Sequence, residues 1–137
     1  MAERSPTHRK DRKLLGAIEP VTVKGYSGSQ RVLAKIDTGA SRTTIDPEIA
    51  AKVGLGPVLD TVRVRAAISE HAETRALVDA DIVIHGEEFH VPVALTDRGD
   101  MRYHVIIGMD ILRSGLFLID PSKEAPDSNG GPSGTFE

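Results

Sequence analysis

The chain contains no cysteine, which excludes disulfides and any thiolate-held metal. It also lacks tryptophan, and aromatics make up only 4% of its 137 residues, so the core has to be built from Val, Ile, Leu and Ala. A core of that kind, in a chain with room for one domain, gains from burying further surface between subunits. No apolar run approaches the roughly 20 residues of a membrane span, and the N-terminus lacks the hydrophobic stretch of a secretion signal. The expectation is a soluble cytoplasmic protein with no membrane partner. A formal charge of −3 supplies no overall field for drawing in nucleic acid. The basic residues gathered at Arg4, Arg9, Lys10, Arg12 and Lys13 read as a solvated leader, so no nucleic-acid partner is expected. There is no internal repeat and no His-Glu-x-x-His pattern. His85 and His90 are an odd number of residues apart in a strand context and would point to opposite faces. No metal and no other cofactor are expected.

What the chain does contain is mostly strand. Val21 and Val23, then the run from Gln30 to Ile36, flank a glycine-rich turn at residues 25–29 and predict a first hairpin. Thr43 to Ile45 reads as a short strand. Asp46-Pro47-Glu48 is a helix start, with an N-cap acid, proline at the first helical position and an acid in the first turn; that helix ends near Gly54. Val62, Val64, Ala66 and Ile68 alternate with more polar neighbours, and a second strand returns from Thr74 to Ile84. His85-Gly86-Glu87 predicts a tight turn, after which Phe89, Val91, Val93 and Leu95 line one face of the next strand. From Pro121 onward the composition turns to Pro, Ser, Gly, Asn and Asp, too polar to offset ordering entropy. The predicted organisation is a basic disordered tail at 1–13, one domain at 14–122 and a disordered tail at 123–137.

One short stretch carries chemistry. Val32 to Ile36 runs an apolar strand into Asp37-Thr38-Gly39-Ala40. Two carboxylates held within hydrogen-bonding reach cannot both ionise and share one proton, so one acts as base and the other as acid. Gly39 allows close backbone approach and an N–H directed at the carboxylate, and Thr38 offers a hydroxyl on a stiff side chain. The triplet occurs once, so a paired-carboxylate site needs a second copy of the chain. Downstream, His104-Val105-Ile106-Ile107-Gly108-Met109-Asp110-Ile111-Leu112 is an apolar strand ending in glycine and entering a short helix, and Gly108 follows Asp37 by 71 residues. Asp110 reads as a helix cap, Asp120 as a turn residue, Asp79 and Asp81 as the solvent face of a hairpin, and Arg42 as a brace for the loop.

Together, Asp37-Thr38-Gly39 and Ile106-Ile107-Gly108 resemble the retropepsin-like aspartic proteases of the single-domain, gypsy-type and cellular kind. Lys35 to Ala40 and Phe117 to Ser122 also resemble the bacterial and archaeal retropepsin-like family labelled ATP-dependent zinc proteases, although Ser41-Arg42-Thr43-Thr44 departs from that family's Arg-Thr-Ser. The resemblance implies an all-β, closed-barrel fold with one short C-terminal helix, assembled as a homodimer. It implies an aspartic endopeptidase with Asp37 of each subunit in the dyad, Thr38, Gly39 and Ala40 in support, and Ile106, Ile107 and Gly108 threading beside the loop. Ser69, Glu70 and His71 fall where such proteins carry the flap over a peptide or protein substrate. Two other readings stay open: a binding or dimerisation module on the same fold, and a processing peptidase for glutamate-modified proteins.

Overall fold

The computed structural model of the chain describes residues 12–65, 72–97 and 101–126. Among these residues, nine strands and two short helices follow in the order β1 (Lys13–Leu15), β2 (Ile18–Gly25), β3 (Gly28–Ile36), β4 (Thr44–Ile45), α1 (Pro47–Val53), β5 (Val58–Arg65), β6 (Ala72–Ile84), β7 (Glu87–Leu95), β8 (Val105–Ile107), α2 (Met109–Leu112) and β9 (Phe117–Ile119). Strands β2, β3, β8, β4, β7 and β6 neighbour one another in that order, and a further β2–β6 pairing closes them into a six-stranded barrel. Closure removes the free sheet edges that would otherwise be exposed.

Alternation along the strands fills the barrel. Val21 and Val23 of β2, Val32, Ala34 and Ile36 of β3, and Val78, Ala80, Ile82 and Ile84 of β6 are all buried, as the period of two requires for strands with one face on a core. Phe89 and Phe117 are tilted against each other at 5.9 Å between ring centroids, and aliphatic side chains supply nearly all the rest of the cluster.

Local signals place the elements with small differences. The first hairpin turns on two residues, Tyr26 and Ser27, because Gly25 and Gly28 already pair within the strands, so the turn is tighter than the predicted 25–29. Gly25 is needed there: a Cβ would sit 2.4 Å from the carbonyl oxygen of Val53. Tyr26 and Ser27 donate their backbone N–H groups to Gly54 and Val53, docking the hairpin on the end of α1. That helix begins as predicted, with Asp46 at the N-cap accepting from the N–H of Glu48 and Pro47 at N1, and ends on left-handed Gly54. It stands alongside the single C-terminal helix of the expected fold, so the described chain has two. Strand β5 begins at Val58, four residues before the predicted alternation, with an irregularity between Val58 and Asp60. His85 and Gly86 form the β6–β7 turn, both at positive φ.

The arm β5–β6 extends past the barrel. Residues 77–84 of β6 pair with β7, whereas residues 72–76 pair only with β5 among the described residues. From it the guanidinium of Arg75 donates to Thr96 Oγ1 at 3.0 Å.

The two ends of the domain meet in a small parallel pair, Lys13–Leu15 beside Phe117–Ile119. Beneath it lies Glu19, 2% exposed, which accepts from Gly16 N–H at 2.6 Å, His85 Nε2 at 2.8 Å and Lys123 Nζ at 2.8 Å. Burial raises the pKa of this carboxyl, but the bonds from Lys123, Gly16 and His85 outweigh it and hold the group below its ordinary range. A depressed carboxyl pKa contributes stability that is complete above the unfolded-state value and lost as pH falls through the folded one. Glu19→Gln should therefore cost about 1–3 kcal/mol at neutral pH, and its deficit against the parent should shrink in acid below the ordinary carboxylate range. Urea denaturation at a series of pH values measures both.

Candidate active site

The loop after β3 is built on the passage from β8 into α2. The N–H of Asp37 bonds the carbonyl of Ile107 at 2.9 Å, extending the parallel ladder of β3 and β8 by one residue, and the N–H of Met109 bonds the carbonyl of Ala40 at 2.8 Å. Between these two bonds lies Gly108. A Cβ on Gly108 would stand 2.7 Å from the carbonyl carbon of Arg42 and 2.9 Å from the oxygen of Ala40, so only glycine lets the two backbones approach this closely. Within the loop, Ala40 N–H closes on the carbonyl of Asp37, and Gly39 N–H donates to Asp37 Oδ1 at 2.9 Å.

A second set of bonds locks the outgoing side of the loop. Thr43 is fully buried; its hydroxyl accepts from Gly108 N–H at 3.0 Å and donates to Asp110 Oδ1 at 2.7 Å. The N–H of Thr43 reaches both carboxylate oxygens of Asp110, at 3.1 and 3.0 Å. Asp110 is not the cap of α2, whose N-cap is Gly108 with no side-chain bond; it lies in the first turn and ties the loop to that helix across 67 residues of sequence. Local pattern reading foresaw the acid at the helix start but missed Thr43. The available signal was a hydroxyl residue six positions after Asp37 with an acid two positions after Gly108.

The predicted residues sort clearly. Asp37 and Ala40 are half-buried and Thr38 and Gly39 are exposed, so the loop presents its carboxylate at an open surface. Ile107 is fully buried while Ile106 is half-buried, placing Ile106 on the carboxylate's side of the sheet. Ser69, Glu70 and His71 lie outside the described residues. Beyond the loop, a cavity of about 400 Å³ is lined by residues including Leu33, Ile49, Lys52, Arg102, Tyr103 and His104. His104 Nδ1 lies 3.3 Å from Asp46 Oδ2.

The remaining histidines and acids divide among separate places. His85 is engaged with Glu19. His90, on the outer face, lies 2.6 Å from Asp81 and 3.7 Å from Asp79, and the hydrogen bond to Asp81 with both negative charges raises its pKa. Among the described residues, no three His, Cys, Asp or Glu side chains are grouped to hold a metal. No helix among them is long and apolar enough to cross a membrane.

The family model described as aspartyl protease matches residues 19–111, a span that holds both the Asp37 loop and the Gly108 passage. The chain belongs to the aspartyl protease family. Solved structures agree on the fold. A Legionella pneumophila protein of unknown function superimposes with a TM-score of 0.55 at 15% identity, covering 82% of this chain and 95% of its own. The EIAV protease, solved with the inhibitor HBY-793, gives 0.54 at 15% identity with 78% and 90% covered, and the simian foamy virus protease 0.51 at 11% with 70% and 91%. The fold of this aspartyl protease family member is therefore retropepsin-like. No curated protein is similar enough in sequence to count as a match.

If the Thr43–Asp110 tie shapes the loop, Thr43→Val should leave the buried Gly108 N–H without its acceptor, remove the hydroxyl's bond to Asp110 Oδ1, and lower stability by about 1–3 kcal/mol. Chemical denaturation of the variant beside the parent gives the number.

Proposed function

We propose that the chain is a homodimeric aspartic endopeptidase in which Asp37 of each subunit supplies half of a proton-sharing dyad. The observation that carries the reading is a half-site: one Asp-Thr-Gly triplet in the chain, held by the backbone in a braced loop whose Thr38 and Gly39 stand exposed. Apposing two such loops across a two-fold axis brings two carboxylates together. Only one of them ionises, because like charges at that distance disfavour the doubly charged state.

The chemistry follows from that shared proton. The ionised carboxylate removes a proton from water as it attacks the scissile carbonyl, and the protonated one donates to the carbonyl oxygen; the roles reverse as the leaving amine is protonated. Gly39 N–H, already bonded to Asp37 Oδ1, fixes the carboxylate's orientation. No covalent enzyme intermediate is formed. Ser69, Glu70 and His71 fall in the segment between β5 and β6 and would form a flap over the peptide. The cytoplasm is the proposed compartment, which a cysteine-free chain tolerates without loss of covalent cross-links.

Support for the second copy comes from the outlying β1–β9 pair. Leu14, Leu116 and Ile119 are 46%, 40% and 37% exposed there, and a small aliphatic core gains stability by covering such side chains with another subunit. Asp37→Asn should leave a dimer of unchanged sedimentation behaviour and remove peptide hydrolysis by several orders of magnitude, since both members of the dyad change at once. Turnover of a defined peptide at the parental rate by that variant would eliminate the mechanism. A folded dimer that cleaves nothing from pH 3 to 8 would instead favour a binding module on this fold.

A further inference from the structure

Among the described residues, one buried side-chain polar atom is left without a partner. The hydroxyl oxygen of Thr44 is out of water and makes no hydrogen bond, while the hydroxyl of Thr43 beside it makes two. The ladder explains the isolation. On either side of Thr44 stand Ile106 of β8 and Ala94 of β7, whose side chains are hydrocarbon. A buried hydroxyl with no partner costs stability, and valine, of the same shape and at home in a strand, would avoid that cost.

Register places that hydroxyl near the candidate catalytic carboxylate. Lys35, Ile106 and Thr44 stand abreast on β3, β8 and β4. Each precedes a buried residue, Ile36, Ile107 and Ile45, so the three share the face that Asp37 continues. Thr44 thus lies two residues back along the strand from Asp37 and two strands across, roughly 12 Å between Cα atoms at about 3.3 Å per residue and about 4.8 Å per strand. An extended peptide laid over the carboxylate spans that distance in three to four residues. Arg42 flanks the same spot. Its carbonyl carbon packs 2.7 Å from where a Cβ of Gly108 would stand, and Gly108 directly follows Ile107, which accepts the Asp37 N–H. Arg42 is half-buried, and its side chain makes no hydrogen bond or ion pair among the described residues. The nearby Asp110 carboxylate is already engaged by Thr43.

We infer that Thr44 and Arg42 form a subsite selecting substrates with an oxygen acceptor, the carboxamide of Asn or the carboxylate of Asp, within about three residues of the cleaved bond. The inference rests on the reading of Asp37 as the catalytic carboxylate. Thr44 as a whole is half-buried, so one staggered step of χ1 turns its hydroxyl from the hydrocarbon wall to the open side. A donor whose partner comes from the substrate discriminates against an apolar analogue, which leaves it unpaired. Arg42 adds a charge-assisted bond when the acceptor is a carboxylate.

Three synthetic peptides, identical except for Asn, Asp or Leu at the second and third positions on each side of one apolar scissile pair, test this, since the three side chains are close in size. Fluorescence anisotropy with Asp37→Asn reads binding, and chromatography with the parent protein reads cleavage. The Asn peptide should bind about tenfold more tightly than the Leu peptide, and the Asp peptide more tightly again. Adding Thr44→Val should bring Asn and Leu within about twofold of each other, Thr44→Ser should keep the preference, and Arg42→Gln should remove the advantage of Asp over Asn. Thr44→Val should also melt at or above the parental temperature, the opposite of Thr43→Val, because no partner within the fold is lost. Equal binding of the Asn and Leu peptides, a preference that Thr44→Val leaves intact, or a lowered melting temperature for that variant overturns the inference. Equal cleavage of all three peptides overturns it while the protease reading stands; acceptor-selective binding without hydrolysis by the parent supports the subsite and removes the protease reading.

Discussion

The structure depends on two backbone segments, far apart in sequence, running closer together than side chains would allow. Gly108 is where they touch, and the bonds on either side of it, Asp37 to Ile107 and Met109 to Ala40, leave no slack in the loop. Thr43 and Asp110 then fix the exit of the loop to the first turn of α2. A carboxylate on a free loop would spend most of its time misdirected; here its backbone is defined by a barrel strand on one side and a helix on the other. Sites supported by regular elements hold their geometry better than sites on unsupported loops.

Around that contact the barrel acts as a frame. Closure through β2 and β6 makes the strands that carry the loop part of one continuous ladder, so the site inherits the rigidity of the core. Glu19 performs a similar service at the other end, gathering the β6–β7 turn, the segment after β1 and the segment after β9 on one buried carboxylate. Three unrelated stretches of chain thereby share a single electrostatic anchor, one that is strongest when ionised.

Much of this was legible because it is local. Asp46-Pro47-Glu48 announced α1 through capping chemistry alone, and the alternation of Val21 and Val23 announced β2. The Asp37 triplet and the glycine after Ile107 were visible as short motifs whose residue types have a steric reason to be there. What could not be read were ties across the barrel. Nothing in the neighbourhood of Glu19 says that it will be buried against Lys123, and nothing near Thr43 says that its hydroxyl will bridge Gly108 and Asp110. Such pairings are set by strand register over separations of 65 to 104 residues, and register emerges only once the barrel closes. The shift of β5 to an earlier start has a comparable origin, since Val58 and Leu59 are exposed and lack the alternating signature that marks a strand packed on a core.

The outward reach of the β5–β6 arm has a mechanical meaning. Because residues 72–76 are bonded to β5 and to no barrel strand among the described residues, bending that ribbon breaks no rung of the closed ladder. The energy of tilting it is thus separated from the energy of unfolding, as expected of regions that open locally at low free energy. Arg75 and Thr96 tie the arm to the rim, so a tilt there would be resisted by side-chain contacts and not by rungs of the closed ladder.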